Sequence, residues 1–190
     1  MENVVKTFVV SMGICAAALA SLAQATDWKS DAARSRLEFV ATFEKAPVPG
    51  VFKDFDASLR FDPEKPAGGT FDVTIRVTSA DMNVPDVNKE IGGKDWFDYA
   101  GFPRAEFHSA DVRRTGGNRY VARGALSLKG MKQPLEVPFV WTVSGDGAIM
   151  DGEFTVKRGA FAIGTGEWEK SDVIGADVKV KFRVTLRKAG

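Results

Sequence analysis

The segment 177–187 constrains the fold of this chain more than any other. Val178, Val180, Phe182, Val184 and Leu186 alternate there with Lys179, Lys181, Arg183, Thr185 and Arg187. Successive strand side chains point to opposite faces, so this period of two predicts a β-strand with one apolar and one charged face. An amphipathic helix needs apolar residues at i, i+3, i+4 and i+7, and here it would scatter them round the cylinder. At roughly ten residues the strand is longer than the usual five or six, which favours a barrel over a short-stranded sandwich.

The same alternation recurs along the chain. Leu37, Phe39, Ala41 and Phe43 share one face of a strand over 35–43, and Pro47 and Pro49 then mark 44–50 as a loop. A single strand is expected over 51–61, with Phe55, Ala57, Leu59 and Phe61 opposed to Asp54, Asp56, Ser58 and Arg60. After a turn at 62–69, Phe71, Val73, Ile75 and Val77 alternate with Asp72, Thr74, Arg76 and Thr78. The period changes over 86–99, where Val87, Ile91, Trp96 and Phe97 suit a short helix weakened by Gly92 and Gly93 and lying across the sheet or one open end.

Strands resume at 105–109, 120–128 and 135–143, with Pro134 and Pro138 expected at an edge or bulge. Phe154 and Val156 mark a strand ending near Arg158, and 159–174 reads as a partly ordered connection. Trp28 is an anchor for the first turn or a plug at one end. Eight strands and one helical interlude predict an all-β fold, an antiparallel meander. A meander of that length exposes edges unless it closes, so the expected architecture is an eight-stranded up-and-down barrel with a short helical segment.

The first residues do not read as part of this fold. Lys6 precedes an apolar run over 8–22, and Ala23-Gln24-Ala25 follows as a small-residue cleavage site. This is the order of a secretory signal peptide over 1–25, leaving one domain over 26–190. The run is shorter than the roughly 20 residues a spanning helix needs. Ile14 stands before Cys15, where a lipoprotein would carry a small residue. Since Cys15 is the only cysteine, the mature chain has no disulfide, no thiol nucleophile and no sulfur ligand for a metal.

Other chemistries find little to work with. The net charge is +1 with acids and bases interspersed, so no basic stripe offers itself to nucleic acid. Asp81, Asn83 and Asp86 lack the spacing of a calcium loop. Gly164-Thr165-Gly166 lacks the third glycine and the setting of a dinucleotide loop, and no Gly-x-Ser-x-Gly elbow occurs. The single histidine, His108, is out of phase with Phe107 and so points away from the interior. The chain is therefore expected to be no enzyme, without cofactor or metal. An outer-membrane barrel also alternates, inside out, but its aromatics gather in two girdles, whereas here they are scattered along the strands.

A set of residues in order along the chain resembles the YceI-like family. It comprises Ser35, Phe39, Gly50, Phe52, Phe55, Phe61-Asp62-Pro63, Asp95-Trp96-Phe97-Asp98, Pro103, Phe107, Gly124, Leu126, Gly130 and Pro134. It continues through Lys157-Arg158, Phe161, Ile163-Gly164, Gly166-Glu167-Trp168 and the closing strand. The resemblance implies a lipocalin-like antiparallel barrel, exported to the periplasm, holding a long isoprenoid or fatty-acid-type chain without catalytic residues. Two departures stand out. Arg34 and Phe43 occupy positions where relatives often carry histidines, and Ala160 and Ala162 replace an acid and a glycine after Arg158.

An eight-stranded barrel is just wide enough to be filled by its own side chains or to hold one slender ligand, and alternation alone leaves both open. The resemblance favours the ligand. The expected lining is Phe39, Phe43, Phe55, Phe71, Ile75, Trp96, Phe107, Leu126, Phe139, Trp141, Phe154, Phe161 and Phe182, with Arg158 and Asp81 near a headgroup. Burying a dozen methylenes would contribute roughly 10 kcal/mol before ordering costs. The expected function is a soluble periplasmic carrier for a quinone or polyprenyl lipid. The alternatives are a fatty-acid-like amphiphile as ligand, or a filled barrel acting through a protein partner. Such a carrier leaves room for transient contact with a membrane or membrane protein, and for a homodimer.

Overall fold

In the computed structural model the described residues are 25–170 and 172–189. The expected signal peptide, but for its last residue, lies outside them, as does Cys15. The strands are β1 Thr26–Ser30, β2 Arg36–Phe43, β3 Ala46–Phe52, β4 Phe55–Phe61, β5 Thr70–Arg76, β6 Ala80–Asp81, β7 Arg104–Gly116, β8 Arg119–Leu128, β9 Met131–Ser144, β10 Gly147–Lys157 and β11 Asp177–Lys188, with one helix, α1 Pro85–Glu90. The ring β1-β4-β5-β7-β8-β9-β10-β11 returns to β1, an eight-stranded closed antiparallel barrel.

Two of the staves are bent. β11 pairs with β2 over 179–183 and with β1 over 186–188, so β1 and β2 form one stave broken by the turn Ala32–Arg34. Ser35 bridges the break: its hydroxyl donates to the Asp31 carbonyl (2.7 Å) and accepts from the Thr185 amide (3.1 Å). β3 pairs with β2 and β4 with β1, so they form the second stave, bent at Lys53 and Asp54. There the Asp54 amide donates to the Ser79 hydroxyl (3.0 Å) and the Lys53 amide to the Ser79 carbonyl (3.2 Å).

This corrects two readings. Residues 46–50 are strand rather than loop, and 51–61 is not one strand. Thr42 faces Pro47 and Val40 faces Pro49, while the outer edge of β3 pairs with β6 only at Val51 and Phe52. A strand free along one edge tolerates two missing donors. The β2–β3 turn is Glu44-Lys45 with both φ positive (47° and 67°), a primed hairpin without the usual Asn-Gly signature. Gly50 is required opposite Phe39, because a Cβ there would enter the Phe39 ring.

The expected helix over 86–99 shortens to Pro85–Glu90, since the amides of Trp96 and Asp98 both turn back to the Gly93 carbonyl. β9 pairs with β8 over 131–140 but with β10 only over 139–144, so Pro134 and Pro138 lie in a half with one free edge, as expected of them. The Pro138 carbonyl turns toward Gly152, where the two strands part and where no Cβ would fit. The described residues of the connection, 158–170 and 172–175, are folded rather than partly ordered, with turns at Arg158–Phe161 and Gly166–Trp168.

The end of the barrel formed by the 61–70, 116–119 and 144–147 turns is sealed by aromatic rings. Phe61, fully buried, meets Phe71, Tyr120, Phe139 and Trp141 at 4.8–5.8 Å, and Trp28 closes edge-on against Trp141 at 5.2 Å. Trp28 is thus a plug, as one of its two readings had it. Two of these rings place their polar ends on the rim: Trp28 Nε1 donates to the Phe61 carbonyl (3.0 Å) and the Tyr120 hydroxyl to the Pro63 carbonyl (3.0 Å). Phe61→Ala is expected to lower stability by about 3–5 kcal/mol, seen as a lower denaturation midpoint at unchanged slope in a urea titration.

Candidate ligand site

Above the plug the interior is not filled. A cavity of about 170 Å³ runs along the barrel, and every described residue lining it is apolar except Arg158. Phe39, Phe55, Phe71, Ile75, Phe107, Leu126, Phe154, Phe161 and Phe182 lie on its wall. Each is on the inward parity of its strand except Phe161, which comes from the turn after β10. Sequence reasoning missed Phe52 and Phe97, which reach the wall from the bent second stave and from the segment between β6 and β7. It could have added Val178 and Val180, which share the apolar parity of β11 with Phe182.

Other expected lining residues are elsewhere. Phe43 stands 43% exposed at the β2–β3 hairpin. Phe139 and Trp141 are in the plug, below the cavity. Trp96 does not line it either, and packs instead against Trp168 at 5.8 Å. His108 points outward, as its phase implied, with Nδ1 2.6 Å from an Asp72 carboxylate oxygen. Among the described residues no group of three or more His, Cys, Asp and Glu side chains could hold a metal.

The opposite end is roofed by residues 77–103 and 158–176. Arg158, 5% exposed, is the post between barrel and roof. Its Nε donates to the Gly175 carbonyl (3.0 Å), Nη1 to those of Ile163 and Gly164 (2.9 and 2.7 Å), and Nη2 to those of Trp168, Ile174 and Glu169 (2.7, 2.9 and 3.3 Å). A guanidinium has five N–H donors, so none remains for a headgroup. Burial pulls the Arg158 pKa below its ordinary value, partly offset by Glu169.

The two roof segments are clasped together. The Asp95 carbonyl accepts from the amides of Gly164 (2.7 Å) and Thr165 (2.9 Å), and the Asp95 carboxylate from the Thr165 hydroxyl (2.9 Å). Lys129 donates to the carbonyls of Lys94 (2.7 Å) and Ala162 (2.6 Å), and burial lowers its pKa. Asp81 is also structural. It pairs with Lys53 and accepts from Asn88 Nδ2 (2.7 Å) and the Asn83 amide (2.9 Å), partners that hold its pKa down to about 2.

An eight-stranded up-and-down barrel with an apolar interior defines the protein class as lipocalin-like. A model of the YceI-like domain matches residues 28–186, and the chain belongs to that family. It is 36% identical to Burkholderia cenocepacia BcnA, whose crystal structure superposes with a TM-score of 0.80 over 82% of this chain and 98% of that one. A polyisoprenoid binding domain from Saccharophagus degradans shares the fold at 14% identity, with a TM-score of 0.70 over 85% of this chain and 98% of that one. Among curated relatives, a UPF0312 protein of Photorhabdus laumondii is 40% identical over 86 residues, 45% of this chain and 44% of that protein. A UPF0312 protein of Yersinia pestis is 35% identical over 97 residues, 51% of this chain and 50% of that protein. The chain thus spans about half the length of the curated relatives it matches.

Two outcomes follow from the roof. Arg158→Met orphans several buried carbonyls, and amide exchange over 159–175 is expected to rise by about tenfold or more while β7 and β8 keep their protection. Asp81, ordinarily near 3.8, is held to about 2 in the fold, so its contribution is complete above about pH 4 and is lost as pH falls through 2. Protection of amides 82–88, corrected for intrinsic rate, should fall across that window, and in Asp81→Asn it should be low already at neutral pH and show no such step.

Proposed function

We propose that this protein is a soluble periplasmic carrier that holds a long-chain isoprenoid lipid, of quinone or polyprenyl type, non-covalently in the barrel. The observation that carries this reading is the closed interior whose lining is apolar but for Arg158, an arginine fully engaged on backbone carbonyls. Such a tube gains from each methylene it removes from water, about 0.8 kcal/mol before ordering costs, and a slender chain suits its width. Membership of the YceI-like family supports a binding rather than a catalytic role, and the likeness to the polyisoprenoid binding domain of Saccharophagus degradans suggests isoprenoid as the ligand class. The sequence pattern of residues 1–25 supports export.

A transient contact of the roofed end with a membrane belongs to the same reading. Phe43, Val84, Phe102 and Met131 stand exposed in the turns at that end, whereas Val143 is exposed at the other. A fatty-acid-like amphiphile remains the second reading, favoured only by the apolar wall that both ligands share.

The direct test is mass spectrometry of an organic extract of the protein purified without detergent. A stoichiometric long-chain isoprenoid is expected, and an extract that stays empty after incubation with quinones and polyprenols would refute the carrier. Val73→Trp and Ala57→Leu, which push side chains into the cavity, are expected to cut retained lipid at least about tenfold at a stability cost of about 1–3 kcal/mol. Lys181→Ala, on the outer face, should retain lipid like the parent.

A further inference from the structure

Beside the cavity the barrel wall has a seam that no backbone ladder closes. β9 and β10 pair only between Phe139–Gly152 and the 144–147 turn. Above that level, among the described residues, 131–138 keep their ladder with β8 and 153–157 theirs with β11, but the two stretches do not pair with each other. Leu135 and Val137 on one side of the seam, and Phe154 and Val156 on the other, all line the cavity. Leu135, Phe154 and Val156 are only half-buried there, although each points inward. The free outer edge of β3 over 46–50 is different, since none of those residues is on the cavity wall.

Residues 159–162 cover the seam. Phe161, 4% exposed, supplies the cavity wall from this turn. The ends of the turn are fixed: the Ile163 amide donates to the Arg158 carbonyl (3.1 Å), and Arg158 Nη1 to the carbonyls of Ile163 and Gly164 (2.9 and 2.7 Å). Its middle is held to the barrel, among the described residues, by two side-chain hydrogen bonds. Gln133 Nε2 donates to the Ala160 carbonyl (3.1 Å) and Lys129 Nζ to the Ala162 carbonyl (2.6 Å). Gly159 and Ala160 are exposed, and Ala162 is held in the left-handed region (φ 51°), a strain that movement of the turn would release. The other routes are closed more firmly. The plug is ring against ring, and the Asp95 carbonyl clasps the amides of Gly164 and Thr165 across the roof. Parting a paired seam breaks several backbone bonds together, whereas lifting this turn breaks two bonds to side chains.

We propose that the unpaired seam between β9 and β10 is the side door through which a lipid chain enters and leaves the barrel, with residues 159–162 as its leaf and Phe161 as the face that closes it. This rests on the carrier reading and adds to it the route of exchange. The door is shut in the empty and in the filled protein alike, so its hold sets how fast lipid exchanges and leaves affinity unchanged.

The test is stopped-flow quenching of tryptophan fluorescence by decylubiquinone, with the delipidated protein in a Cys15→Ser background. Gln133→Ala is expected to raise the association and dissociation rates together by about 3–10-fold, the scale of one hydrogen bond, at unchanged Kd. Thr165→Val, which removes the hydroxyl on the Asp95 carboxylate, should leave both rates as in the parent. Gln133→Cys with Ala160→Cys should exchange as fast as Gln133→Ala while the thiols are free, and at least about tenfold more slowly than the parent once a bis-maleimide joins them. A cross-link that leaves the rates unchanged would overturn the proposal, as would faster exchange in Thr165→Val than in Gln133→Ala, which would put the route through the roof. A rise in dissociation alone in Gln133→Ala would overturn it too, making Gln133 a support of the filled state. Absence of binding by the parent is a separate outcome: it would overturn the carrier reading, and the door with it.

Discussion

Everything in this molecule depends on β11 hydrogen-bonding to both halves of the bent first stave. An eight-stave meander left open would present two rows of unpaired amides and carbonyls, a template for aggregation. β11 removes both rows by pairing with β2 along its first half and with β1 along its last residues. The Ser35 hydroxyl makes the junction continuous by standing in for the missing rung between them. Closure also converts eight one-sided apolar faces into a single interior, and that interior has nowhere to collapse to. Aromatic rings fill its lower part to contact distance, while the upper part encloses the apolar cavity.

The two ends treat their polar groups differently. At the plug, Trp28 and Tyr120 reach carbonyls on the rim, while the Trp141 indole is buried without a partner among the described residues. At the roof, the charged groups are spent on the fold: Arg158 on backbone carbonyls between Ile163 and Gly175, Lys129 on a carbonyl of each roof segment, and the Asp95 carboxylate on the Thr165 hydroxyl. A folded connection with several carbonyls pointing inward would be costly without a multivalent donor, and a planar guanidinium is suited to serve many acceptors at once. The consequence for function is that the cavity keeps its apolar character beneath a polar roof. The indole of Trp96 and the hydroxyl of Tyr99 are buried in the roof without a partner among the described residues.

Much of the inward face was legible from residue parity. Phe39, Phe55, Phe71, Phe107, Phe154 and Phe182 were each placed inside by alternation, and each lies on the cavity wall. Parity says nothing of height along the barrel, so Phe139 and Trp141, in phase with Val137, were expected at the ligand and belong to the plug. β3 was illegible because Pro47 and Pro49 read as breakers and Glu44-Lys45 lacks turn residues; only its ladder with β2 makes it a strand. Phe52 and Phe97 reach the wall from a bend and from a roof segment with no regular period, so no local pattern pointed to them.

By itself, then, the sequence determined the class of fold and which side of most strands faces inward, because side-chain direction on a strand depends only on the next residue along. Tertiary structure alone decided where the plug ends and the cavity begins, since that depends on strand stagger around a closed ring. It also decided that Arg158, a charged residue at a strand end, is buried under a loop rather than offered to a headgroup. The same holds for Trp96 and Tyr99: whether a buried donor finds an acceptor is settled by atoms far away in the chain, and no local pattern records it.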